Sequence, residues 1–135
     1  MKCIFCEIIN KKIPCYKVYE DKDMLAFLDI APVNYGHTLV VSKKHCANFE
    51  EISEEELCKM IKVVKKIGKA MINGLGIKGY NVQVNNNPIA GQVIPHIHFH
   101  IIPRIETDGL YLWPQQKYNN GEAEKIMEKI KIGLN

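Results

Sequence analysis

Seven residues, His96-Ile97-His98-Phe99-His100-Ile101-Ile102, constrain this chain more than any others. Side chains alternate across a β-strand, so a strand over 96–102 puts His96, His98 and His100 on one face and Ile97, Phe99 and Ile101 on the other. The apolar face must be buried, which presents the histidines on a rigid support. Successive imidazoles would then stand roughly 6.8 Å apart, two residues at about 3.4 Å rise each. A lone histidine on such a strand is ordinarily a residue that falls on the wet face. Three of the chain's five histidines in strict alternation, preceded by Gly91-Gln92 and flanked by Pro95 and Pro103, point to chemistry instead.

An imidazole can ligate a metal, move a proton or act as a nucleophile. Three on one face suggest a zinc-hydroxide site first, but all three would converge on one ion only if the strand were curved. The loop before them, Asn86-Asn87-Pro88-Ile89-Ala90-Gly91-Gln92, is rich in carboxamides, and Gly91 lets backbone N–H groups come close to an anion. That loop tips the reading toward phosphoryl chemistry.

The rest of the chain looks like a support for this strand. At 135 residues it can bury a real core without a disulfide framework, and 47% hydrophobic with 24% charged residues is the composition of a globular protein. A net charge of +3 implies no polyanion such as nucleic acid. No stretch reaches the roughly 18 apolar residues of a membrane helix, and no leader with a cleavage site is visible, so the expectation is a cytoplasmic protein without a membrane partner. Cys3, Cys6, Cys15, Cys46 and Cys58 are odd in number and irregularly spaced. In a reducing compartment Cys3-x-x-Cys6 reads as a metal clip needing two further ligands, or as a free dithiol.

Val18–Glu20 and Met24–Leu28 read as a hairpin around Asp21-Lys22-Asp23, Thr38–Ser42 as a short strand, and Tyr80–Asn85 as a strand antiparallel to the histidine strand. Ser53-Glu54-Glu55-Glu56 is a capping box. Behind it Leu57, Met60, Ile61, Val64, Ile67, Gly68 and Met71 form the apolar stripe of a helix ending near Gly74. Beyond the turn at Thr107-Asp108-Gly109, Ala123, Ile126, Met127 and Ile130 mark a short helix. Antiparallel strands covered by one long helix make an α+β domain.

The run at 96–102 matches in full the motif His-φ-His-φ-His-φ-φ, with φ apolar, and on it the chain resembles the histidine triad (HIT) family over nearly its whole length. The resemblance implies a single domain over 1–135: a five-stranded antiparallel sheet, one long amphipathic helix and a short C-terminal helix. It also implies a homodimer in which two protomers form a ten-stranded sheet, with Trp113 a candidate for the dimer contact or the partner's pocket. The implied activity is hydrolysis at the α-phosphate of purine nucleoside phosphoramidates or adenylated amines through a covalent nucleotidyl-histidine. The alternatives are a dinucleoside polyphosphate hydrolase, or a nucleotide-binding regulatory module with little turnover. His98 would be the nucleophile, with His100 and His37 completing the catalytic set and His37 packed beside His98 to orient it. Asn85, Gly91, Gln92 and Val93 would join His98 and His100 around the phosphate. Ile4, Phe5, Ile8, Phe27 and Ile30 would line the base, with Asp29 on the ribose hydroxyls. Val93 departs from the pattern, since many family members carry a Ser or Thr there that is credited with helping the leaving group. A branch of the family binds structural zinc through a Cys-x-x-Cys and two histidines, here Cys3, Cys6, His45 and His96, with Cys46 as the rival ligand.

Overall fold

The computed structural model describes residues 2–134. Its elements are α1 (Ile4–Ile9), β1 (Lys17–Glu20), β2 (Met24–Leu28), β3 (Thr38–Ser42), α2 (Glu54–Leu75), β4 (Gly79–Val84), β5 (His98–Arg104) and α3 (Glu122–Gly133), with one 3-10 turn at Pro88–Ala90. The five strands form one sheet in the order β1-β2-β3-β5-β4, each neighbouring pair antiparallel. The expected α+β architecture is therefore the one adopted. Helix α1 and the 3-10 turn are additions that the residue pattern did not reveal.

Register gives the sheet two dry faces. Met24 and Ala26 of β2, Val40 of β3, and Phe99 and Ile101 of β5 face α2, where Met60, Val63, Val64, Ile67 and Met71 cover them. Each of these Val, Ile, Met and Phe side chains, fully buried, contributes about 1.5–3 kcal/mol. On the opposite face Leu25, Phe27, Leu39 and Val41 pack with Phe5 of α1. His98 pairs with Val41 and His100 with Leu39, so both share that second face. The predicted division of the histidine run holds, with Ile97, Phe99 and Ile101 all in the α2 core. The strand itself is displaced by two residues from the expected one and runs from His98 to Arg104. At its entry the Ile97 N–H leaves the ladder and donates to Cys46 O at 2.7 Å, so His96 sits in a bend before β5.

Helix α2 starts where the capping residues place it, with Ser53 Oγ accepting from the Glu56 N–H at 3.2 Å. The reciprocal half of the box is replaced: Glu56 meets Lys59 Nζ at 2.7 Å. The apolar stripe is rotated slightly from the expected one. Val63 is buried and Ile61 exposed, because the row Met60–Val64–Ile67–Met71 faces the sheet and position 63, not 61, lies on its flank. A left-handed Gly76 (φ 68°) closes the helix. Helix α3 forms as predicted but buries none of its residues, so Ala123, Ile126, Met127 and Ile130 remain outside the core.

Gly68 of α2 lies against the ring of Tyr80 on β4. A Cβ added there would overlap the ring and hydroxyl of Tyr80, which packs half-buried against the core. Alanine is the better helix former by about 1 kcal/mol, yet overpacking costs about 1–3 kcal/mol, so the clash should decide the sign. Gly68→Ala is expected to lower the urea midpoint; a variant as stable as the parent would show that the Tyr80 ring swings aside freely.

Candidate active site and metal centre

Three imidazoles, His37 at the mouth of β3 and His98 and His100 on β5, meet on the α1 side of the sheet. The His98 and His100 rings lie 4.8 Å apart, centroid to centroid, closer than a flat strand would place them, because both are turned inward at 60° to one another. His98 is only 7% exposed, so the histidine face is roofed rather than wet.

Hydrogen-bond partners assign each ring its tautomer. His98 Nδ1–H donates to the His96 carbonyl at 2.7 Å, which leaves its Nε2 lone pair free. The Val33 N–H donates to His37 Nδ1 at 3.1 Å, so a neutral His37 carries its proton on Nε2. That proton points at His100 Nδ1, 2.9 Å away, and His100 in turn must carry its own on Nε2. The outcome is a lone pair on His98 beside an N–H donor on His100. Burial pushes the pKa of all three rings down, most for His100, which falls to about 4 with His98 and His37 adding to the shift. The rings are therefore neutral at pH 7. Asp29 opposes the shift at each of them, and its Oδ2 lies 3.7 Å from His37 Nε2.

Asp29, His37 and His100 are close enough to suggest a metal site. The Val33 amide argues against it. With Nδ1 already accepting, His37 could offer Nε2 to a cation only as an imidazolate, so the 2.9 Å contact is a hydrogen bond.

The second cluster has the opposite chemistry. Cys3, Cys6, His45 and His96 bring four ligand atoms within 4.8 Å of one another. His96, fully buried, donates from Nε2 to the Ser42 carbonyl at 2.7 Å, which leaves Nδ1 unprotonated and aimed at the cluster. Its Nδ1 stands 3.2 Å from His45 Nδ1, 3.4 Å from Cys3 Sγ and 3.6 Å from Cys6 Sγ, and Cys6 Sγ is 3.3 Å from His45 Nδ1. A tetrahedral ion with N ligands at about 2.05 Å and S ligands at about 2.3 Å has edges of about 3.3 Å (N to N) and about 3.6 Å (S to N). The residues fit such an ion closely. Cys46, the rival ligand, lies instead in the α2 core.

Comparison with known proteins agrees with this geometry. The HIT domain matches residues 10–107. The chain belongs to the HIT family. An uncharacterised HIT-like protein of Methanocaldococcus jannaschii is 50% identical over 96% of this chain and 98% of its own. An adenosine 5'-monophosphoramidase of Schizosaccharomyces pombe is 43% identical over 96% of each chain. Among solved structures, a HIT family protein of Bacillus subtilis superposes with a TM-score of 0.90 at 39% identity, covering 98% of this chain and 96% of the other. A zinc-bound histidine triad protein of Mycobacterium smegmatis gives 0.79 at 32% identity, covering 99% and 96%.

The other residues expected of a HIT site divide in two. Asn85 lies beside Gly91, its Nδ2 donating to Gly91 O at 3.3 Å, and Gly91 needs its φ of 92° to turn the loop. Gln92 is buried with its side chain committed to the frame: Nε2 donates to Ala47 O (2.6 Å) and Ile94 O (3.1 Å), and Oε1 accepts from Asn87 N (2.8 Å). Asn87, held at φ 73° and ψ 155°, a region ordinarily reserved for glycine, is further tied by Asn48 Nδ2 at 2.8 Å. Val93 and Ile89 face solvent. Of the nucleoside residues, Phe5 and Phe27 are buried edge to face at 5.7 Å, Ile8 is half-buried, Ile4 and Ile30 are exposed, and Asp29 Oδ1 already accepts from Ala31 N at 2.8 Å. The Val33 amide and the carbonyls of Ser42 and His96 escaped the sequence reading, since backbone groups carry no residue signature.

The depressed histidines give stability a definite pH dependence. A ring whose folded pKa lies below its ordinary 6.5 takes up its proton later in the folded chain than in the unfolded one. Its contribution is complete above about pH 6.5 and drains as pH falls through the folded value. The urea midpoint should be flat from about pH 7 to 8 and fall steadily from about 6.5 toward about 4, with a shallower fall in His100→Phe. A midpoint that rises on acidification would contradict the neutral rings.

Proposed function

We propose that this chain is a nucleotide hydrolase that cleaves the bond between the α-phosphorus and an amine in purine nucleoside phosphoramidates or adenylated amines, through a nucleotidyl-His98 intermediate. The observation that carries this reading is the tautomer of His98: with Nδ1–H held by the His96 carbonyl, a neutral ring directs its Nε2 lone pair into the site. The Nε2–P bond forms as the P–N bond breaks, the leaving nitrogen taking a proton from solvent water; a water oxygen then bonds to phosphorus as the Nε2–P bond breaks, returning a proton to solvent and restoring neutral His98. As the ring gains positive charge its Nδ1–H bond to the carbonyl strengthens, which favours the transition state over the ground state. His100 presents its Nε2–H to a phosphate oxygen, and His37 maintains that orientation through the 2.9 Å bond. The backbone of Gly91 and Val93 and the carboxamide of Asn85 complete the phosphate site. Asp29 Oδ2 and the apolar residues Ile4, Ile8, Phe27 and Ile30 would take the nucleoside, Phe5 forming the inner wall.

Phosphoramidates are favoured over dinucleoside polyphosphates because the side-chain charge acting on all three histidines is the carboxylate of Asp29. A leaving group bearing several more negative charges gains nothing from it. The name of the Schizosaccharomyces pombe relative supports the same choice. Cys3, Cys6, His45 and His96 would hold zinc as a closed four-ligand structural ion, supported by the fit of the ligand edges and by the zinc-bound Mycobacterium smegmatis neighbour.

We also propose that two chains pair through β4 into a ten-stranded sheet. The β1 edge is blunted by a bulge and by Lys17 and Glu20, whereas Val82 of the β4 edge is exposed beside Tyr111, Leu112 and Trp113. Sedimentation should return twice the chain mass, and Val82→Lys should return one; a monomeric parent would refute the pairing.

For the reaction itself, His98→Asn should bind AMP normally while turnover of adenosine 5'-phosphoramidate falls by more than the roughly 10²–10⁴ that loss of an acid or base costs. No acid-labile adduct should form. Near-normal turnover by that variant would end the assignment, and metal analysis should find about one zinc per chain.

A further inference from the structure

The metal cluster and the histidine site are joined by one helix. Helix α1 has six residues, too few to be stable alone. Its anchors are Cys3 and Cys6 at the cluster and Phe5, Ile8 and Ile9 against the sheet. Phe5 lies between the two thiols, so holding both of them also sets the direction in which the Phe5 ring points. That ring is 6% exposed and stands edge to face against three others: His98 at 5.0 Å and 79°, Phe27 at 5.7 Å and 71°, and His96 at 5.8 Å and 72°.

His98 has one hydrogen bond among those described, from Nδ1 to the His96 carbonyl. A single bond leaves the ring free to rock about it, and rocking swings Nε2 away from any phosphorus in line with it. Phe5 at 5.0 Å and His100 at 4.8 Å both pack against the ring and limit that motion, and of the two it is Phe5 that lies in the helix held by the thiols. Phe5 is thus in edge-to-face contact with His98 as well as with Phe27. His96 links the same parts a second time, with Nδ1 at the cluster and its carbonyl on His98.

We propose that Phe5 is a positioning residue for His98, and that metal occupancy at Cys3, Cys6, His45 and His96 controls the orientation of the nucleophile through it. The inference rests on the reading of His98 as nucleophile given above. A wall residue and a positioning residue separate experimentally: the first acts on nucleotide affinity, the second on the rate of bond formation in the bound complex.

The test compares parent and Phe5→Leu, each zinc-loaded and zinc-depleted. Three quantities are read: the single-turnover rate of nucleotidyl-His98 formation from saturating adenosine 5'-phosphoramidate, AMP affinity by calorimetry, and hydrogen exchange across residues 4–9. Loaded Phe5→Leu should keep its zinc, and adduct formation at saturating substrate should slow roughly 10- to 100-fold whatever the change in AMP affinity, as misplacement of a reacting group does. Zinc depletion of the parent should slow adduct formation by a similar factor and speed exchange in α1. Depleting Phe5→Leu should cost less than about 3-fold more, because coupled elements are non-additive. If the two factors multiply, metal and Phe5 act independently and the proposal fails. It also fails if Phe5→Leu weakens AMP binding but leaves the adduct rate intact. Should the depleted parent lose its fold, His45→Asn, which removes only the exposed ligand, takes its place in the cycle. Failure of the underlying reading looks different: loaded parent would turn over with no adduct at His98.

Discussion

Burial of Ile97, Phe99 and Ile101 beneath α2 is the constraint on which the rest depends. Because side chains alternate, driving these three into the core obliges their neighbours to occupy the other face. Hydrophobic free energy, non-directional in itself, is converted by the pleat into a directional placement of imidazoles. The second face is then closed by the short helix α1, whose Phe5, Ile8 and Ile9 pack on Leu25, Phe27, Leu39 and Val41 beside the imidazoles.

Closure of that face changes what the imidazoles are. Left in water they would titrate near neutrality and adopt either tautomer. Under the α1 roof they are neutral, and each proton has one address, dictated by the carbonyl of His96 and the amide of Val33. The same rule separates two clusters that look alike by distance alone. His96 spends its proton on Ser42 and can bind a cation, whereas His37 spends its lone pair on Val33 and cannot.

Much of this was legible in the residues. The spacing of β3 and the hairpin before it, the start of α2 and the faces of the histidine run all follow from patterns of two and of three to four. The ligand set of the metal cluster came from resemblance, and the structure brings those four residues together, whereas His37, expected beside the nucleophile His98, hydrogen-bonds to His100 instead. What could not be read has a common cause. Helix α1 is too short for its period to be seen, His96 leaves the strand through a backbone bond to Cys46, and Gln92 is absorbed by three hydrogen bonds to main-chain atoms. Contacts to the main chain decide each of these, and they are invisible in a string of side chains.

The loop between β4 and β5 separates shape from surface. Asn87, Gly91 and Gln92 carry its conformation through positive φ angles and buried carboxamide bonds, while Ile89 and Val93 project outward and support nothing. A chain built this way can exchange the two outward residues without disturbing the backbone that carries them. In this loop the side chains that hold the backbone and the bulky side chains that meet solvent are different residues.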